Sequence, residues 1–200
     1  MRPVVEQNFF QWSRKFEGYV QHMYLDVKGL VTTGVGNLID PVSSALSLPW
    51  RHTTGILADR SAILAEWSRI KSHTELARQG YRYAGKMATL HLDPEDIASL
   101  VTQKADSFWD WMRTHYFPDC DAWPACAQLA TLSMAWALGP GFPITFKNYA
   151  SAAKRQDWKA CAAACGIKTA GNPGIVPRNA ANVALLLKAS EQTTDQYGDL

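Results

Sequence analysis

Residues 16–36 read Phe-Glu-Gly-Tyr-Val-Gln-His-Met-Tyr-Leu-Asp-Val-Lys-Gly-Leu-Val-Thr-Thr-Gly-Val-Gly, and this stretch decides how the chain is built. Ahead of it, Val5, Phe9, Trp12 and Phe16 recur at helical spacing, which predicts an amphipathic helix over residues 4–16. Gly18 is placed to end that helix, because glycine tolerates the left-handed conformation beyond a helix C-terminus. The composition then shifts to tyrosine, valine, threonine and glycine, with Lys28-Gly29 marking a turn between two short extended runs. A β-hairpin, or a small sheet, is predicted over residues 24–36. Alternation places Tyr24 and Asp26 on one face of the first strand, and Thr32 and Gly34 on one face of the next.

Everything after the hairpin reads as helical. Residues 37–58 form a loop-rich connection broken by Pro41, Pro49 and Gly55, and Asp59 caps a helix predicted over 60–79. Asp93-Pro94-Glu95-Asp96 is a strong helix start: a cap, proline at the first helical position, then acids on the positive end of the dipole. That helix is expected to run to 115. Residues 121–124 open a mostly apolar, centrally buried helix that stops at Leu138-Gly139-Pro140-Gly141. Shorter helices follow at 144–154 and 157–165. A loop over 166–176 contains Gly171-Asn172-Pro173-Gly174, and Pro177 opens a last helix to 189. The polar tail from Glu191 is expected to fray. The predicted class is α+β, mainly α, in one domain over 1–200.

The 200 residues, 47% of them hydrophobic, suffice for one sizeable core or two lobes sharing a long helix. The net charge of +2, without a run of like charges, points away from a nucleic-acid partner. The longest apolar stretch, 125–138, is too short and punctuated to span a bilayer. Residues 1–17 carry no apolar core of a signal peptide. The expectation is therefore a protein made in the cytoplasm, acting in the periplasm of a target or host bacterium once something else delivers it. Cys120, Cys126, Cys161 and Cys165 read as buried small hydrophobes or an incidental disulfide, and no metal site is expected.

Hydrolysis of a glycosidic bond needs a carboxylic acid to protonate the leaving oxygen, and usually a second carboxylate to stabilise the cation or activate water. Glu17 ends the first predicted helix. Asp26 follows after eight residues on the first strand, and Thr32 after five more on the second. A helix end followed by a hairpin brings all three to one cleft. Gly34 and Gly36 remove side chains where a polymer can lie close to the backbone. Of the eight tryptophans, Trp12 and Trp67 fit core stripes, whereas Trp50, Trp109, Trp111 and Trp123 are open between groove lining and packing.

The order Phe16-Glu17-Gly18, Tyr24-Leu25-Asp26, Gly29, Thr32-Thr33-Gly34-Val35-Gly36 resembles the signature of the tailed-phage lysozymes, glycoside hydrolase family 24. The bacteriocin pesticin and lysozyme-like effectors of bacterial secretion systems use a similar set. The resemblance continues, more loosely, through residues 93–115, Ser133 to Gly139, and Gly174-Ile175-Val176-Pro177-Arg178-Asn179. It implies a lysozyme-like fold: a small β-hairpin lobe (17–92, with an inserted helix) and a larger helical lobe (1–16 and 93–200), joined by a long helix. It further implies a muramidase that cuts the β-1,4 bond between N-acetylmuramic acid and N-acetylglucosamine. Glu17 is then the acid, Asp26 the stabilising carboxylate, Thr32 the holder of water and Arg178 the residue that orients the acid. Tyr24, Gly34, Gly36, Asn37 and Trp136 line the sugar groove. No cofactor is implied. The partners are peptidoglycan strands and, for a monomer acting as an effector rather than an endolysin, an immunity protein or delivery apparatus. A neutral Thr32 beside Asp26 predicts inversion at the anomeric carbon. The alternatives are a lytic transglycosylase and a non-catalytic glycan-binding or structural module. Three features depart from the family: Asn37 stands where histidine is usual, Asn179 where a second arginine is frequent, and residues 38–92 are longer.

Overall fold

The computed structural model describes residues 1–169 and 174–200. The predicted turn at Gly171-Asn172-Pro173 lies outside the described residues. The chain forms two compact units, Met1–Phe16 with Thr102–Leu200, and Glu17–Val101. The C-terminal border of the second unit, expected at residue 92, lies nine residues later in the chain. The class is α+β, mainly α, with a small antiparallel sheet.

Helix α1 (Pro3–Glu17) stops where expected, and Gly18 takes a φ of 77°. Strands β1 (Val20–Leu25), β2 (Val31–Gly34) and β3 (Asn37–Leu38) follow in the order β1-β2-β3. The element thus starts earlier in the chain than predicted and, of the two forms expected, is the small sheet. Its register sets Tyr24 opposite Thr32 and Leu25 opposite Val31. Asp26 builds the turn: its Oδ1 accepts from the Lys28 and Leu30 amides at 2.8 and 2.9 Å.

The inserted segment contains α2 (Val42–Ala45), β4 (Arg51–His52), α3 (Arg60–Ser72), α4 (Leu76–Gln79), α5 (Tyr81–Ala84) and β5 (Leu90–His91). Two expectations are corrected here. The segment is not purely helical, because β4 and β5 pair as a second antiparallel sheet. The helix predicted over 60–79 ends at Ser72, with His73 at a non-helical ψ of 69°. Its start is as predicted, the Ala62 amide donating to the Asp59 carboxylate at 2.8 Å.

Helix α3 braces the hairpin from behind. Trp67 Nε1 donates to the Ile39 carbonyl at 2.9 Å, and Lys71 Nζ donates to the Gly29 carbonyl at 2.9 Å and to Asp40. Burial pushes the Asp40 carboxyl up, but the Lys71 hydrogen bond and charge, with the Val31 amide, outweigh it and hold it low. Glu66, 3% exposed, pairs with Arg69 and accepts from the Thr89 amide and hydroxyl at 2.9 and 2.8 Å. One buried carboxylate thereby ties α3 to the strand that closes the insertion.

The helical unit comprises most of α6 (Pro94–His115), then α7 (Ala125–Leu138), α8 (Lys147–Lys154), α9 (Trp158–Ala164) and α10 (Ile175–Glu191). Twelve consecutive residues of α7, Ala125 to Trp136, are buried, and α10 packs against both α7 and α9. Asp121 clasps this unit. It accepts from the Met1 ammonium at 2.6 Å, Trp109 Nε1 at 2.7 Å and Arg113 at 2.9 Å. Trp50, Trp109 and Trp123 are buried, which settles them as packing residues, while Trp111 stacks on His115 with centroids 4.3 Å apart. All four cysteines are buried free thiols, and burial pushes Cys120 and Cys161 up to about 12. The C-terminal tail does not fray: Thr193 and Gln196 form a capping box, and the Tyr197 carbonyl accepts from the Ala125 amide at 2.8 Å. Among the described residues, no helix is long and apolar enough to cross a membrane.

Candidate active site

Four of the sequence-predicted residues come together on the β-containing unit. Glu17 is the last residue of α1 and is half-buried. Tyr24 lies near the end of β1, directly across from Thr32 on β2. Asp26 follows one residue beyond the strand. Burial pushes the pKa of the Tyr24 phenol up to about 12, and the negative charges of Glu17, Asp26 and Tyr81 add to that.

Each polar group keeps part of its capacity. Asp26 spends Oδ1 on the turn, while Oδ2 accepts no hydrogen bond among the described residues. Thr32, 4% exposed, donates its hydroxyl proton to the Leu30 carbonyl at 3.2 Å, which orients its oxygen lone pairs to accept.

Gly34, Gly36 and Asn37 sit in the tight turn between β2 and β3, where they serve the backbone. Gly34 has a φ of 63°, and a Cβ there would lie 3.0 Å from Asn37 Oδ1 and 3.2 Å from an Ile97 methyl. Asn37 and Ile97 atoms border the space that this glycine leaves. Gly36 also has a positive φ, 72°. Asn37 is 2% exposed, and its Oδ1 accepts from the Val35 amide at 3.1 Å, so it braces the turn rather than facing a ligand.

Trp136 and Arg178 belong to the helical unit. Trp136, 7% exposed, packs against Phe9 with centroids at 5.2 Å, and Lys104 Nζ lies 4.1 Å from its ring centroid. Little of the ring is left for a sugar to stack on. Arg178 is buried on α10, donates to the Ser133 carbonyl at 2.9 Å, and sits 5.1 Å over the ring of Phe16, the residue that precedes Glu17 in sequence. Asn179 clasps the Ile167 backbone through both amide atoms, at 3.0 and 2.7 Å. A buried amide at Asn37 and a half-buried one at Asn179 thus occupy the positions that depart from the phage pattern, each holding backbone.

Sequence reasoning missed Tyr81, whose ring lies 6.2 Å from that of Tyr24. The available signal was the aromatic and basic alternation Tyr81-Arg82-Tyr83, which helix and strand periodicity both pass over. Among the described residues, no three His, Cys, Asp or Glu side chains gather where they could hold a metal ion. No protein-family model matches the chain, and no curated protein matches it.

Proposed function

We propose that the protein is a peptidoglycan hydrolase, a muramidase cutting the β-1,4 bond between N-acetylmuramic acid and N-acetylglucosamine. The observation that carries this reading is the convergence of Glu17 and Asp26 on Tyr24, with Thr32 directly across the sheet from it. Glu17 protonates the glycosidic oxygen. Asp26 stabilises the oxocarbenium-like transition state and, through its uncommitted Oδ2, polarises the water that Thr32 holds. Attack by that water leaves an inverted anomer. Tyr24 stays neutral far above physiological pH, so it can donate a hydrogen bond to substrate without adding charge between two carboxylates.

Lysis of purified sacculi by the wild type and by Glu17→Gln tests the proposal. The substitution preserves size and removes the ionisable proton, and general acid catalysis contributes about two to four powers of ten. A folded Glu17→Gln protein that lyses sacculi at the wild-type rate removes the mechanism.

One observation favours a second reading, a non-catalytic lysozyme-like module. Asp26 has a complete structural role as the acceptor that closes the hairpin turn. Wild-type lysis separates the two: a folded wild type that binds sacculi and releases nothing selects the module. In a lytic protein, full activity of Asp26→Asn, whose amide oxygen still accepts both backbone amides, assigns Asp26 to the turn alone.

A further inference from the structure

The inserted segment carries a charge pattern that its packing does not use. From residue 76 to residue 92 there is no acid, while Arg78, Arg82 and Lys86 recur four residues apart and are all exposed. None of the three makes an ion pair or a side-chain hydrogen bond among the described residues. Two of them lie over aromatic rings. The Arg82 guanidinium carbon is 6.0 Å from the Tyr81 centroid, and Lys86 Nζ is 5.3 Å from that of Tyr83. Such pairing holds a cation in place while leaving its hydrogen-bond donors free.

The fold fixes where these cations stand. His22 on β1 donates through Nε2 to the Tyr81 carbonyl at 2.8 Å. Gly85 lies so close to the same imidazole that a Cβ would come within 2.8 Å of His22 Cε1. Helix α5 is therefore pinned to the strand that carries Tyr24, and Tyr81 makes an edge contact with Tyr24 at 6.2 Å. Glu17 and Asp26 act on Tyr24 from its surroundings. A polymer bearing carboxylates meets the Asp26 carboxylate there, and cations alongside offset that repulsion over about a Debye length, ~8–10 Å.

We propose that Arg82, stacked over Tyr81 beside Tyr24, forms with Lys86 a carboxylate-recognising subsite that grips the peptide stems of the glycan next to Glu17 and Asp26. This rests on the muramidase reading and adds to it: the insertion selects stem-bearing strands over bare glycan.

The test compares wild type with Arg82→Gln/Lys86→Gln on intact sacculi and on sacculi whose stem carboxylates are blocked as neutral amides. Exposed charge pairs each contribute up to about fivefold in affinity. The double variant is expected to raise KM on intact sacculi roughly five- to tenfold with kcat nearly unchanged, to leave the blocked sacculi unaffected, and to flatten the dependence of rate on salt. Gly85→Ala, which keeps every charge but pushes α5 off His22, is expected to raise KM on intact sacculi alone. Equal losses on both substrates, or no loss on intact sacculi, overturn the subsite and leave the muramidase reading standing. A wild-type protein that cuts neither substrate, as Glu17→Gln does, removes the muramidase reading and the subsite with it.

Discussion

The two sides of the hairpin treat carboxylates in opposite ways. Behind it, where α3 packs, Asp40 is paired with Lys71, and Glu66 is paired with Arg69 and further satisfied by Thr89. There the charges are neutralised and the hydrogen bonds are complete, which is how a buried acid contributes to a fold. On the Tyr24 face, Glu17 and Asp26 both act on one phenol, and Asp26 keeps an oxygen uncommitted. An acid that keeps an oxygen uncommitted gives less to the fold than one whose hydrogen bonds are complete, and the muramidase proposal assigns its chemistry to this face. The contrast separates acids that hold the molecule together from those proposed to do its work.

Substitution on the two sides should therefore fail in different assays. The largest effect belongs to the Tyr24 face. Asp26→Asn and Thr32→Ala are each expected to lower sacculus lysis by about a hundredfold or more, with unfolding midpoints within about 1 kcal/mol of wild type. Equal activity in both variants would erase the distinction. Behind the hairpin, Glu66→Ala is expected to cost about 2–3 kcal/mol, because it deletes hydrogen bonds to a buried charge. For a chain of this length that lowers Tm by roughly 4–12 °C, while the folded fraction keeps its specific activity.

The difference between the two faces was only partly legible in the sequence. The 3.6-residue repeat before Glu17 and the Gly18 stop placed the end of α1, and the composition shift with the Lys28-Gly29 turn marked the two strands that follow. Those signals are local, and local signals survive folding. The contacts of Gly34 and Asn37 were not legible, because their partners, each other and Ile97, are set by the fold rather than by spacing. The surroundings of Trp136 were hidden for the same reason, since only packing brings Phe9 and Lys104 to its ring. Strands β4 and β5 are two residues each and pair across the whole insertion, which leaves no periodicity to detect.

Smaller effects sharpen the contrast. Difference absorbance between wild type and Tyr24→Phe should place the Tyr24 midpoint near 12, against about 10 for an unperturbed phenol. In Glu17→Gln/Asp26→Asn the midpoint should fall but stay above 10, because burial is the larger cause and persists. An unmoved midpoint would place the carboxylates away from the phenol. Behind the hairpin, the folded Asp40 carboxyl lies below its unfolded value of about 3.9. Its stabilisation is present above that value and lost as pH falls through the lower, folded one. Thermal melts of Lys71→Met should therefore show a shallower loss of stability below about pH 4 than wild type.

Mass spectrometry of the products released from purified sacculi tests the central claim most directly. Hydrolysis adds one water across the cleaved bond, so the wild type is predicted to release reducing muropeptides and a folded Glu17→Gln protein none. A folded wild-type protein that releases nothing, or one whose products are 1,6-anhydro sugars lighter by that water, contradicts the account.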